Sequence, residues 1–318
     1  MKTYKKIIPI LTIVSLIGCT SGETLFQRKT YVFDTVVQSK LYDGKETDLD
    51  KIDEILNRYD KLCDSYHQRD IANVYTMNRS GEIPVTYSND FVSMLSDVLT
   101  IASEIEYFNP FIGSLSNMWK DALANKQVLS NDVIAEELAK MNNTHISISG
   151  DEITKIGEAE LDLGGIAKGY ALDKVYEYLK DNNEKNYLVD AGSSSILLGE
   201  KKTKDGYFNI GPKDLPTKFL KLKNCFVSTS GISEQGVRID GVTYSHIINP
   251  YTGSAINNYD AVIVVSQEGA LGDALSTSMV FNTIDEIKEL ETEFDVQVLV
   301  IKNKQIVYIN ENIELGNR

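Results

Sequence analysis

The sequence predicts an α+β fold with mixed, largely antiparallel sheets and packed helices. Two observations carry this. Amphipathic helical stripes dominate the first half of the chain, and short strand-like runs crowd the second half. Those strands do not alternate regularly with helices, as a doubly wound sheet would require. Composition agrees: 318 residues, 42% hydrophobic and 25% charged, suit a soluble globular chain long enough for a sizeable core.

In chain order, Tyr31 to Tyr42 alternates like a strand, with Phe33-Asp34-Thr35 near its start. Leu49, Ile52, Ile55, Leu56, Tyr59 and Leu62 recur at helical spacing. A second helix follows Ser88, with Phe91, Met94, Leu95, Val98, Leu99, Ala102 and Ile105 on one face. Ser130 to Met141 reads as a third helix. His145 to Ser149 and Glu152 to Leu161 read as strands that feed a Gly164-Gly165 turn, and a helix from about Ile166 to Leu179 follows it. Tyr187 to Leu198 reads as a strand broken by Gly192. Tyr207 to Ile210, Phe226 to Ser228, Val242 to Ile248 and Ala261 to Ser266 add short strands. Asp273 to Phe281 is a helix of small residues. Val296 to Ile301 and Gln305 to Ile309 form a hairpin around Asn303 and Lys304.

The N-terminus reads as a targeting segment. Lys2, Lys5 and Lys6 precede an apolar run from Ile7 to Gly18, too short to span a bilayer but right for a signal-peptide core. The run ends in Leu16-Ile17-Gly18-Cys19, which resembles a bacterial lipobox. That divides the chain into a lipoprotein-type signal peptide (1–18), a tether (19–28) opening on a lipidated Cys19, and one domain (29–318). The expected location is extracytoplasmic, anchored to a bacterial membrane by lipid on Cys19. Cys63 and Cys225 remain, and spacing alone does not show whether they meet. A formal charge of −14, with no basic, aromatic-studded stripe, excludes a nucleic-acid partner. Cysteines and histidines are too scattered for a zinc site.

Asp273-Ala-Leu-Ser-Thr277 places a carboxylate and a hydroxyl four residues apart, on one helix face. Asp162-Leu-Gly-Gly-Ile-Ala-Lys-Gly169 is a glycine turn entering a helix, where backbone groups can approach a ligand. Its spacing is neither a Walker loop nor a dinucleotide fingerprint. A hard cation bridging a phosphate needs only a few protein oxygens, so the two segments together suggest a magnesium–pyrophosphate site. Alone, each has a plainer reading, as a helix acid beside a packed threonine and as a chain reversal. His246-Ile-Ile-Asn-Pro-Tyr-Thr-Gly253 puts a histidine where a strand meets a loop, suited to proton transfer. Ser228-Thr-Ser-Gly231 offers hydroxyls and amides to phosphate oxygens, and Tyr107-Phe-Asn-Pro-Phe-Ile-Gly113 offers rings for stacking.

In this order, the segments resemble the ApbE family of FAD:protein FMN transferases over about Tyr31 to Ile309. The resemblance implies a T-fold-like core. It also implies magnesium-dependent transfer of FMN from FAD to a threonine or serine of an extracytoplasmic acceptor protein, through a phosphoester bond and with release of AMP. Within the same resemblance stands hydrolysis of FAD to FMN and AMP; a flavin-binding lipoprotein without turnover is the alternative outside enzymes. The resemblance assigns magnesium to Asp273, Thr277 and the Gly165 carbonyl. It assigns FAD contacts to Asp162, Lys168, His246 and Ile247, with Phe33, Tyr66, Tyr107, Phe108 and Asn109 lining the flavin pocket. His246 is the candidate base and Asp273 its rival. Three positions depart from the family pattern: Asn109 for an aspartate, Phe111 for a small polar residue, and Gly192-Ser193 for a glycine pair.

Overall fold

The alternation from Leu25 to Tyr42 is folded back on itself. In the computed structural model, which describes residues 24–232 and 236–318, Leu25–Val32 pairs antiparallel with Thr35–Tyr42. Phe33 and Asp34 both adopt positive φ (52° and 54°), as a two-residue hairpin turn requires. The single strand expected from Tyr31 to Tyr42 is therefore the second arm of a hairpin. Residues 25–28, expected in the tether, belong to its first arm, because Leu25 to Arg28 pair with Tyr42 to Ser39. The signal segment and Cys19 lie outside the described residues. Among the described residues no helix is long and apolar enough to cross a membrane.

Eight strands form the main sheet: Leu25–Val32, Thr35–Tyr42, Tyr187–Ala191, Ser195–Leu198, Cys225–Gly231, Ala261–Ser266, Gln297–Lys302 and Gln305–Ile309. They lie side by side in chain order, each antiparallel to the next. Tyr187 to Leu198 is thus a tight hairpin rather than one interrupted strand. The Asn303-Lys304 turn falls as expected, with both residues at positive φ.

The central strands are buried on both faces, so they read as continuous apolar runs. Val189, Leu197, Phe226, Val264, Val298 and Val300 meet one layer of helices. That layer contains the expected Glu46–Cys63, Asn89–Glu104 and Ala167–Asp181 helices and also Gly269–Met279. Ile196, Leu198, Val227, Ile263, Leu299 and Ile301 point the other way. They pack with Phe208, Leu220 and Leu222 of a three-stranded sheet built from Phe208–Ile210, Lys218–Leu222 and Leu315–Asn317. A smaller core joins helices Gly113–Ala124 and Asn131–Asn142 to Ile248 and Ala255. Cys63 and Cys225 are unpaired, and burial pushes the Cys225 thiol up to about 12.

Candidate active site

Helix Gly269–Met279 begins four residues before Asp273, so Asp273 sits in mid-helix rather than at the helix start that the sequence suggests. The first turn of this helix carries no acid; its amides are met from another element. Asp273 is 6% exposed and every oxygen is engaged. Its Oδ1 accepts from Ser228 Oγ (2.6 Å) and Ser195 Oγ (2.8 Å); its Oδ2 accepts from the Gly169 amide (2.7 Å) and Ser195 Oγ (3.0 Å). Burial raises the pKa of this carboxyl, against the opposing pull of Ser228, the Lys168 charge, Ser195 and the Gly169 amide.

One turn later, Thr277 lies against the glycine turn. A Cβ placed on Gly165 would stand 3.3 Å from Thr277 Oγ1 and 3.4 Å from Phe108. A side chain here would fit only if Thr277 gave way by a few tenths of an ångström. Ser230 Oγ is 3.3 Å from Thr277 Oγ1 and 2.9 Å from Ser276 Oγ. The Ser228–Gly231 segment therefore supplies hydroxyls along the Asp273/Thr277 helix face. Lys168 Nζ donates to Ser194 Oγ at 2.5 Å.

The turn itself is held from two sides. Asp162 Oδ1 accepts from the Gly164 amide (2.7 Å), while the Asp162 amide donates to the Pro110 carbonyl (2.8 Å). Burial raises the Asp162 carboxyl, and the Gly164 amide and Lys120 oppose the rise. The Gly113 amide donates to the Glu160 carbonyl at 2.9 Å. Phe108 and Asn109 are thereby tied to the turn. Asn109 Oδ1 accepts from the Phe111 amide (2.9 Å) and caps the short 3-10 turn Pro110–Ile112. A carboxylate would accept the same bond, so this departure preserves the local backbone. At the Gly192-Ser193 departure, both residues take positive φ (72° and 65°), and the Ser193 amide donates to Asp190 Oδ1 at 2.6 Å. The turn geometry of a glycine pair is kept at a modest steric cost.

A cavity of about 710 Å³ opens over this arrangement. Tyr107, Phe108, Asn109, Asp162, Gly165, Lys168, His246, Ile247, Asp273 and Thr277 all line it. The His246 strand is shorter than expected: it ends at Tyr244, leaving His246 exposed in a bend and Ile247 buried beyond it. The chain leaves the strand here because Ser245 Oγ accepts from the Ile247 amide (3.0 Å), closing a local turn. Asn249 Oδ1 then accepts from the Tyr251 and Thr252 amides, and Trp119 Nε1 donates to the Gly253 carbonyl at 2.8 Å.

Two expected residues stand apart. Phe33 occupies the hairpin turn, with its amide donating to Asp60 Oδ1 at 2.6 Å, and Tyr66 is 48% exposed with its hydroxyl 3.2 Å from Asn117 Oδ1. Neither lines the cavity. The sequence reading missed Ser194 and Ser195, which follow the departing Gly192-Ser193 pair, and the Asn209 to Asp214 stretch, all of which line the cavity. A run of serines in a hairpin turn was the available signal for the first pair. Nothing in the second stretch marks it.

Among the described residues no three histidine, cysteine, aspartate or glutamate side chains converge as a metal cage. One carboxylate, one hydroxyl and a backbone turn beside a lysine suit magnesium instead, which commonly takes one or two carboxylates and completes its shell with water and substrate phosphates. The Asp273 carboxylate is contacted by neutral donors alone, so a cation beside it would favour its ionised form.

Known proteins are similar to this chain in sequence and in fold. The sequence signature described as the ApbE family matches residues 33–300. A FAD:protein FMN transferase of Treponema pallidum is 25% identical over 86% of this chain and 84% of its own length. One from Klebsiella pneumoniae is 27% identical over 90% and 92%. Among solved structures, the ApbE protein of Thermotoga maritima superposes with a TM-score of 0.75 at 23% identity, covering 92% of this chain and 97% of its own. The flavin transferase ApbE of Vibrio cholerae gives 0.72 at 22% identity, covering 93% and 97%.

Proposed function

Because the chain belongs to the ApbE family, we propose that it transfers FMN from FAD to a threonine or serine hydroxyl of an extracytoplasmic acceptor protein and releases AMP. The observation that carries this reading is the convergence of Asp273, Thr277, Gly165 and Lys168 in a single cavity. That cavity falls in the size range of small-molecule and cofactor sites. Magnesium would be held by Asp273, Thr277 and the Gly165 turn, and when bound it neutralises charge on the pyrophosphate oxygens. Lys168 brings a second positive charge to the same oxygens. The buried hydrogen bonds to Asp273 hold its carboxylate before substrate arrives, so little reorganisation is needed. His246, exposed and lining the cavity, would take the proton of the incoming hydroxyl. The hydroxyl oxygen bonds to the FMN phosphorus, the bond from that phosphorus to the bridging oxygen breaks, and AMP departs with the bridging oxygen. Tyr107 and Phe108 offer ring faces to the flavin or the adenine. The lipobox-like Leu16 to Cys19 supports a lipid-anchored protein acting outside the cytoplasm.

The test is incubation with FAD, magnesium and a candidate extracytoplasmic acceptor, followed by intact mass of the acceptor and assay of AMP. The expected result is an acceptor heavier by one FMN, matched by AMP. AMP without a labelled acceptor under every acceptor tried points to hydrolysis, and bound FAD with no AMP refutes an enzyme.

A further inference from the structure

The two helices that build the site carry the same short pattern: Gly169-Tyr-Ala-Leu-Asp173 in one and Gly269-Ala-Leu-Gly-Asp273 in the other. In each, glycine and aspartate share a face. The faces meet glycine to glycine. A Cβ on Gly169 would lie 2.1 Å from the Gly269 carbonyl oxygen, and one on Gly269 would lie 2.4 Å from the Gly169 oxygen. Backbones in such contact leave no room for either residue to be anything else.

The hydrogen bonds are reciprocal. Asp273 Oδ2 accepts from the Gly169 amide at 2.7 Å. Asp173 Oδ1 accepts from the Gly269 amide at 2.6 Å, and its Oδ2 from the Ala270 amide at 2.8 Å. Neither helix is capped by a side chain at its own N-cap, Ile166 or Glu268. Each therefore satisfies the opening amides of the other. The twins differ in what else surrounds them. Asp273 is bonded by Ser195 and Ser228 and faces the cavity, whereas Asp173 does not line it.

We infer that Asp173 is a positioning residue for the metal site: by gripping the first turn of helix Gly269–Met279, it sets the rotation and height at which Asp273 and Thr277 meet the Gly165 turn. This rests on the magnesium reading above. Without Asp173, two helix-opening amides lose their acceptor, and the crossing is held from one side only. Asp273 and Thr277 are then free to shift along the helix axis, whereas the cation tolerates little departure from octahedral geometry.

The experiment uses the full protein with FAD present and follows the melting temperature as MgCl2 is added, for wild type, Asp173→Ala and Asp173→Asn. FAD affinity in EDTA is measured separately by flavin fluorescence. The variants should need about 10- to 100-fold more magnesium for half of the stabilisation, the range seen when a group supporting a metal ligand is removed. FAD affinity in EDTA should be unchanged, and turnover should recover at saturating magnesium. Asp173→Asn keeps the shape and one acceptor, so it decides the matter if Asp173→Ala does not fold. A melting temperature lowered equally at every magnesium concentration, with an unchanged midpoint, overturns the inference alone. A wild-type protein that does not respond to magnesium overturns both this and the metal reading.

Discussion

The two ends of the cavity are built by different physics. At the buried end, Asp273 holds four hydrogen-bond contacts to Ser195, Ser228 and Gly169, and removing any partner strands another polar group. At the mouth, Tyr107 touches Tyr251 edge-on at 5.5 Å and Phe281 at 5.9 Å, and Tyr251 is 60% exposed. No polar lock holds these rings to one another. The buried end is over-determined and should fail abruptly, whereas the mouth should lose affinity by degrees.

The largest effect tests the buried end. Asp273→Asn should abolish magnesium-dependent transfer while the metal-free protein melts no lower than wild type, and a degree or more higher if the buried charge is costly (about 2–4 °C per kcal/mol at this size). Sign supports this: the Asp273 carboxyl is raised by burial, so its contribution to stability is present at low pH and lost as pH rises through its folded pKa. Calorimetry in EDTA, beside an FMN-transfer assay, checks both halves; a variant that keeps transferring refutes the assignment. Next, Lys168→Ala should slow transfer by about 10²–10³-fold, in the range found for removing one preorganised electrostatic group. Single-turnover kinetics would expose a smaller loss.

A third prediction concerns pH. Burial lifts the Asp173 carboxyl to about 7, with the Glu268 and Asp273 charges adding to the rise after its two amide bonds oppose it. The stability it supplies is complete below the unfolded pKa of about 4 and is lost as pH climbs towards 7. The melting temperature of wild type relative to Asp173→Asn should therefore fall between those limits, and a constant difference contradicts it. Tyr251 does not line the cavity but packs edge-on against Tyr107, which does, so Tyr251→Ala should weaken FAD binding by only about two- to tenfold, the worth of one aromatic pair, as read by fluorescence titration. The smallest effect belongs to Tyr66→Ala: FAD affinity should not change, because Tyr66 lies outside the cavity, and a clear loss would extend the mouth to the hairpin side.

The comparison also explains what the sequence made legible. Asp273, Thr277, Gly165 and Lys168 stand out because a buried carboxylate, a helix repeat and a glycine turn each constrain residue type. Leu49 to Leu62 and Phe91 to Val98 are legible for the same reason, since one side of each helix is packed. Phe33 and Asp34 misled because a two-residue turn without glycine or asparagine hides inside an alternating run. The helix Ile284–Phe294 carries a capping box of Thr283 and Glu286 that was present in the sequence and went unread. The start of helix Gly269–Met279 was hidden more deeply: its cap comes from Asp173, about a hundred positions away, where no local pattern points.

Three neighbouring pairs of the main sheet, Leu25–Val32 with Thr35–Tyr42, Tyr187–Ala191 with Ser195–Leu198 and Gln297–Lys302 with Gln305–Ile309, are hairpins that can zip locally and early, whereas Val37 meets Ala191 only after a long closure. The Gly169–Asp273 bond, spanning 104 positions, is another long closure, and contacts of such sequence separation are slow to form. A chain severed between the two helices would keep most of its hairpins, yet it would have no place to seat a cation. Competence for chemistry should thus arrive as one of the last events of folding, trailing the recovery of secondary structure.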